Sequence, residues 1–308
     1  MENSPISPRF WLGWLPAPPV LGSRPRRVLA AIAAAGSALT VLATAAPAGA
    51  TTARASAGGA EVVCSSRQPG LALRLSRDLA HRLHGRPGTS AVAFYDRPTA
   101  TSCSYNAEAA FDSASVVKVT VLGALLRQAM ERRYPLTAEE VRLTTAMITE
   151  SDNASTSELW RRIGPDGIRH FLELAGLRHT VPGADGHWGL TRITAGDQLR
   201  LLRLLTSENP VLDRPARAYA LGLMRRVVPE QRWGVPAGAP GTAAVQLKNG
   251  WLPRSTGGWR VHSIGAFTGD GHDRGMVVLS QGNPAMDDGI ATVEGAARAL
   301  HDGLAGSG

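Results

Sequence analysis

Ser115 and Lys118 stand three residues apart in the stretch FDSASVVKVTV, at the start of a predicted helix, so their side chains share one helical face. A serine hydroxyl is a poor nucleophile until a base takes its proton. A lysine desolvated in a cleft beside another cation can lose its own proton near neutral pH, whereas an arginine effectively never does. Of the 33 lysines and arginines in the chain, only Lys118 and Lys248 are lysines. A lysine kept here therefore suggests a site that needs a cation able to become neutral. The first N–H groups of the helix lack intrahelical partners, which leaves the Ser115 amide available to a developing oxyanion. Asp112 or Ser113 is the expected cap.

Two further polar sets fall at the ends of elements. Ser151-Asp152-Asn153 lies between two predicted helices, and Lys248-Asn249-Gly250 closes a predicted strand. Taken singly, the first reads as a helix-capping turn and Ser115 with Lys118 as a surface pair. Three such sets in this order, each where side chains can converge, point to a site of nucleophilic catalysis. His179 and His187 lie in a loop at residues 177–193, where a histidine can activate water, and His187 is the better candidate. Arg254 and Arg260 are candidate carboxylate binders. The eight histidines and the carboxylates show no ligand spacing such as His-Glu-x-x-His, so no metal and no cofactor is expected.

The elements that must position these residues follow from periodicity. Leu71, Leu75, Leu79 and Leu83 predict an amphipathic helix closed by Gly85. TSAVAFYD and TSCSYN predict two strands joined around Arg97-Pro98. A helix is expected from about Ser113 to Arg132, and Thr137 with Glu140 forms a capping-box signature for the next. ASTSELWRRIG, PDGIRHFLELAG, TAGDQLRLLRLL and RPARAYALGLMRRV carry helical spacing. AAVQLKNG, WRVHSIGAFTG and RGMVVLSQG read as three strands, followed by a helix marked by Ile290, Val293, Ala297, Leu300 and Leu304. No strand-helix-strand alternation repeats, which argues against a doubly wound parallel sheet. An antiparallel sheet built from both chain ends, with a helical lobe at about 119–228 and a site in the cleft between them, fits the order better.

Arg24, Arg26 and Arg27 precede an apolar stretch ending near Ala48-Gly49-Ala50, which predicts that residues 1–50 are a signal peptide. Residues 51–66 are expected to be a flexible leader and 67–308 a single hydrolase domain. Removing residues 1–50 takes away four arginines and one glutamate, so the net charge falls from +8 to +5. No basic run interleaved with aromatics suggests nucleic acid. The surplus supports at most a weak attraction to an anionic cell wall. Two cysteines in an exported chain predict the disulfide Cys64–Cys103. A secreted monomer is expected.

With these three motifs the sequence resembles the class A β-lactamases and the penicillin-binding D,D-peptidases related to them, from about Leu71 to Leu304. The resemblance implies an α+β fold with a five-stranded antiparallel sheet flanked by helices and an all-helical lobe beside it. It implies that Ser115 is acylated by a β-lactam or a D-alanyl peptide, that Lys118 takes or relays its proton, and that Ser151 passes a proton to the leaving nitrogen. Asn153 would hold the substrate amide and Lys118, and Lys248 would supply positive potential. Asn249, Gly250 and Trp251 would contact substrate, with the Trp251 amide completing the oxyanion hole. Three departures bear on this. Asn249 replaces a hydroxyl residue, and the 36 residues from Ser115 to Ser151 are fewer than usual. The loop between Gly176 and Ala195 offers only Asp185 in place of the Glu-Pro-containing loop that activates water for deacylation. The expected function is an acyl-enzyme hydrolase lacking an efficient deacylation base. A competent β-lactamase with a substitute base and a non-catalytic protein that kept the fold are the alternatives.

Overall fold

The computed structural model describes residues 49–306, and nearly all of the expected signal peptide lies outside the described residues. A hairpin of β1 (Thr51–Ala57) and β2 (Ala60–Ser66) is followed by α1 (Leu71–Leu83) and a second hairpin of β3 (Thr89–Asp96) and β4 (Thr101–Tyr105). The two-residue β5 (Phe111–Asp112) leads through a 3-10 turn at Ala114–Val116 into α2 (Val117–Arg132). Then come α3 (Ala138–Thr145), a turn of π-helix at Ala146–Glu150, α4 (Asn153–Leu174), the short β6 (Arg192–Ile193), α5 (Ala195–Thr206) and α6 (Arg214–Arg225). The chain closes with β7 (Ala244–Leu252), β8 (Trp259–Gly269), β9 (His272–Asn283) and α7 (Met286–Ala305).

The main sheet has seven strands, not five, in the order β1-β2-β4-β3-β9-β8-β7. All its pairings are antiparallel. The five expected strands form one contiguous block, and β1 and β2 extend it past β4. Residues 51–66, expected as a flexible leader, are thus sheet. Small polar residues obscured the strand signal, yet β2 alternates, with Val62, Cys64 and Ser66 buried. Its cross-strand partner at Cys64 is Cys103, and the two form a disulfide.

One face of the sheet packs on α1 and α7 through Leu71, Leu75, Leu79, Val293, Ala297 and Leu300, all buried as their spacing predicts. The other face carries the helical lobe. Every residue of α2 from Val117 to Leu126 is buried, which makes it the central helix and takes Lys118 into the interior with its apolar neighbours. The two helices expected between Ala154 and Gly176 are both present, meeting end to end in α4 at a break where Gly164 leaves helical geometry at φ 73°, ψ 164° before Pro165. Thr137 and Glu140 form the expected capping box of α3.

β5 and β6 form a separate ribbon pairing Phe111 with Ile193 and Asp112 with Arg192. It fastens the loop 177–193 to the segment just before Ser115. Closing a loop between cysteines 39 residues apart restricts the unfolded chain, worth about 4 kcal/mol on the chain-entropy model. A Cys64→Ser, Cys103→Ser double variant should therefore lose about 2–4 kcal/mol of unfolding free energy in urea titration.

Candidate active site

Ser115 sits in the 3-10 turn that opens α2, one helical turn before Lys118. The residue ahead of it, Ala114, has φ 47°, a left-handed conformation that an alanine adopts only under constraint. Three contacts supply that constraint. Ser113 N–H donates to Thr191 O at 2.8 Å. The fully buried Ser113 hydroxyl lies within 3.4 Å of the Trp188 and Gly189 carbonyls. His262 Nε2 donates to Asp112 O at 2.8 Å and its Nδ1 accepts from Ser280 N–H, so this imidazole is a neutral strut from β8. Burial pushes its pKa down to about 4. Neither Asp112 nor Ser113 caps the helix, contrary to expectation: Ser113 is spent on these carbonyls and the helix starts from a 3-10 turn without a side-chain cap.

β7 approaches this turn from the sheet. A Cβ on Gly250 would lie 2.9 Å from the backbone nitrogens of both Ser115 and Val116, so only glycine allows the strand this close. Two residues earlier on the same face, Lys248 is fully buried. Its Nζ donates to Asn249 O at 2.9 Å and lies 3.0 Å from Ser151 Oγ.

Ser151 comes from the helical lobe. The π-helical turn ends on it with φ 62°, a second strained non-glycine residue at the site. The Lys118 amine lies 3.1 Å from the same Ser151 Oγ and donates to Ser151 O at 2.6 Å and Asn153 Oδ1 at 2.8 Å. One hydroxyl thus stands between two amines. Burial lowers the Lys118 pKa to about 7, with the nearby Asp152 carboxylate pulling the other way. Burial also lowers Lys248 well below its ordinary value, and Lys118 beside it adds to the effect. Amines sharing one hydroxyl titrate as a pair. When Lys118 is neutral, Ser151 can donate its proton to it, and a proton can move along the row. Lys248 is a source of positive potential only while it holds the shared charge.

Asn249 does not join them. Side chains alternate along a strand, so it points to the opposite face from Lys248 and Gly250. There it is fully buried, with its Nδ2 donating to Gln231 O at 2.8 Å and Trp233 O at 2.9 Å. Its expected role as a substrate ligand fails on this geometry, and it instead ties β7 to the segment beneath. The Trp251 ring lies on that face too, 6.0 Å from Trp233.

The loop 177–193 holds no carboxylate against the Lys118 amine. Asp185 and His187 are exposed, and the His187 ring is within 3.2 Å of Ala184 O. His179 is paired with Glu108 at the surface. What meets Lys118 is the face of Trp188, with Nζ 4.9 Å from its ring centroid. The indole N–H donates to Ser157 Oγ at 3.1 Å, which fixes the ring. Trp188 and His262 escaped the sequence reading. Neither lies in a motif, and an isolated loop tryptophan or strand histidine carries no spacing signal. Arg254 and Arg260 converge on Asp112.

A family model described as "Beta-lactamase enzyme family" matches residues 74–144 and 140–304. The chain belongs to that family. Curated relatives named "Putative lipoprotein LppW", from Mycobacterium bovis and Mycobacterium tuberculosis, are 26% identical over 210 residues, covering 66% of this chain and 66% of theirs. The chain thus spans just under two thirds of the length of those relatives. A class A β-lactamase from Bacteroides cellulosilyticus superposes with a TM-score of 0.66 at 16% identity, over 75% of this chain and 97% of that one. A structure titled PBP-A gives a TM-score of 0.66 at 17% identity, over 76% and 96%. At these identities the likeness is one of fold. The β-lactamase family fold is α+β, with a helical lobe against the sheet.

Because Gly250 abuts backbone rather than a flexible side chain, Gly250→Ala should push β7 away from the Ser115 turn. We expect a loss of about 1–3 kcal/mol, read as a lower urea midpoint, since overpacking cannot relax there.

Proposed function

We propose that this member of the β-lactamase family is an exported serine hydrolase acting on β-lactams or D-alanyl peptides through an acyl-enzyme at Ser115, with slow release of the acyl group. The observation that carries this reading is the Ser151 hydroxyl held 3.0 Å from Lys248 Nζ and 3.1 Å from the Nζ of Lys118, which itself stands one helical turn after Ser115. Lys118, neutral above about pH 7, takes the Ser115 proton as the oxygen attacks the carbonyl carbon. Ser151 returns a proton to the departing nitrogen as the C–N bond breaks. The Ser115 amide, at the unpartnered start of the helix, faces the developing oxyanion. Asn153, whose Oδ1 already accepts from Lys118, keeps its amide N–H groups for the substrate.

Slow release follows from what covers the amine. Hydrolysis of the ester needs a water held beside a base, and the loop side chain packed on the Lys118 amine is the indole of Trp188, which supplies no base. A family member with full turnover would need another base, and the exposed His187, bonded to Ala184 O, gives little support for one.

Export is supported by the arginines and apolar run of residues 1–50 and by a disulfide, which persists in oxidising compartments. No helix among the described residues is long and apolar enough to cross a membrane. We also propose release from the cell or loose cell-wall association, on the mild positive charge left after residues 1–50, and a monomeric chain.

Incubation with benzylpenicillin should add one ligand mass to the intact protein, mapped to Ser115, and the adduct should outlast a nitrocefin burst. Ser115→Ala should show none. A folded sample with no adduct after hours would overturn the reading, and sustained nitrocefin turnover would replace the slow-release part with a competent β-lactamase.

The acylation rate should also rise with pH through about 7, because the protonated amine cannot accept the serine proton. The same depressed pKa has a signed effect on stability. Between about 7 and the ordinary lysine range the unfolded chain holds a proton that the folded chain lacks, so this group makes stability rise with pH across that window. Stopped-flow acylation and urea midpoints at pH 6, 7.5 and 9 would check both.

A further inference from the structure

Strand β7 is the outer strand of the sheet, and its cleft-facing residues meet the site in order. Lys248 reaches Ser151, Gly250 backs onto the Ser115 turn, and Leu252 pairs with Arg260 before the chain runs on to Arg254. At that last end stands Asp112, three residues before the nucleophile. Its carboxylate is ringed by Arg192 Nη1 at 3.3 Å, Arg260 Nε at 3.4 Å and Arg254 Nε at 4.0 Å. One negative charge therefore answers three positive ones.

The three arginines are committed to different degrees. Arg192 also donates to Ala110 O, and Arg260 to Gly257 O and Gly258 O. Arg260 Nε is buried without a hydrogen-bond partner. Arg254 makes no hydrogen bond to the described residues, and its side chain is 41% exposed, against 11% for Asp112. Two carboxylate oxygens cannot saturate three guanidinium forks of five N–H donors each. Clustered guanidinium groups repel one another unless an anion joins them, and the fork geometry suits a second carboxylate.

We propose that Arg254, with Arg192 and Arg260 behind it, forms a subsite for a carboxylate on the acyl side of the substrate. The direction rests on the acyl-enzyme reading above. With the substrate's terminal carboxylate toward Lys248 and its carbonyl at Ser115, the remaining acyl portion lies along β7 toward Arg254. The substrate class is then an acyl-D-alanyl peptide, or a β-lactam, whose acyl side chain carries its own carboxylate.

The test compares carbenicillin, which has a side-chain carboxylate, with benzylpenicillin, which lacks it. The ratio of their second-order acylation rates in the wild-type protein should fall several-fold in Arg254→Gln and also at high salt, which screens an exposed cluster. Arg169→Gln, an equal charge change on α4, should leave the ratio unchanged. An unaltered ratio in both Arg254→Gln and Arg192→Gln overturns the subsite while leaving acylation at Ser115 intact. Should neither penicillin acylate the protein, the functional reading falls, and calorimetric binding to Ser115→Ala decides the subsite. Tighter binding of N-succinyl-D-alanyl-D-alanine than of its N-acetyl counterpart, lost in Arg254→Gln, supports it. Equal binding, or none, overturns it.

Discussion

The Ser151 hydroxyl joins two amines that reach it from different layers. Lys248 comes from the sheet and Lys118 from the buried central helix, so the contact pins sheet to lobe at the centre of the proposed chemistry. Burying two amines is costly, and an isolated buried ammonium would shed its proton to avoid the penalty. On the acyl-enzyme reading proposed above, the shedding is useful. The same desolvation that lowers both pKa values prepares one amine to accept a proton, and the hydroxyl between them lets the charge be shared. Lys118 is held in this state by two oxygens of Ser151 and one of Asn153, so it is well hydrogen-bonded even though it lies among apolar neighbours.

That arrangement depends on backbone that no ordinary helix or strand supplies. Ala114 and Ser151 both take left-handed φ, one just before the nucleophile and one at the relay hydroxyl. Such residues cost about 1–3 kcal/mol each and persist only where the surroundings over-determine them. For Ala114 the surroundings are Ser113 locked to the 188–191 loop, and Asp112 held by the His262 strut and the β5–β6 ribbon. For Ser151 they are the π-helical turn before it and the Asp152 cap after it, whose carboxylate accepts from Ser155 N–H at 2.6 Å.

Much of this was legible in the residues because each part had a local cause. Helical periodicity marked α1 and α7, the Thr137–Glu140 pair marked the start of α3, and the scarcity of lysine marked both amines. The parts that escaped reading have non-local causes. β1 and β2 are built of small polar residues and exist because β4 offers an edge and Cys103 a partner. Asn249 reads as a ligand by its motif position, yet strand alternation turns it away from Gly250 and toward the carbonyls of Gln231 and Trp233. The deacylation question was visible only as a missing glutamate. That a tryptophan lies against the amine follows from how the 177–193 loop is folded back by β6.

On the proposed acyl-enzyme reading, the loop would decide how the two halves of the cycle differ. Acylation would need only groups set by α2, α4 and β7, of which Lys118 and Lys248 are fully buried. Deacylation, on the same reading, would need a water held beside a base, and the loop contributes an indole anchored through Ser157 together with carbonyls that lie against Ser113. Those carbonyls support the strained Ala114 turn, so the loop cannot be rebuilt to admit water without loosening the nucleophile it braces. The slow release proposed above would then be the consequence of a loop that braces the Ser115 turn, and a faster hydrolase would have to brace that turn by other means before it could open a path for water.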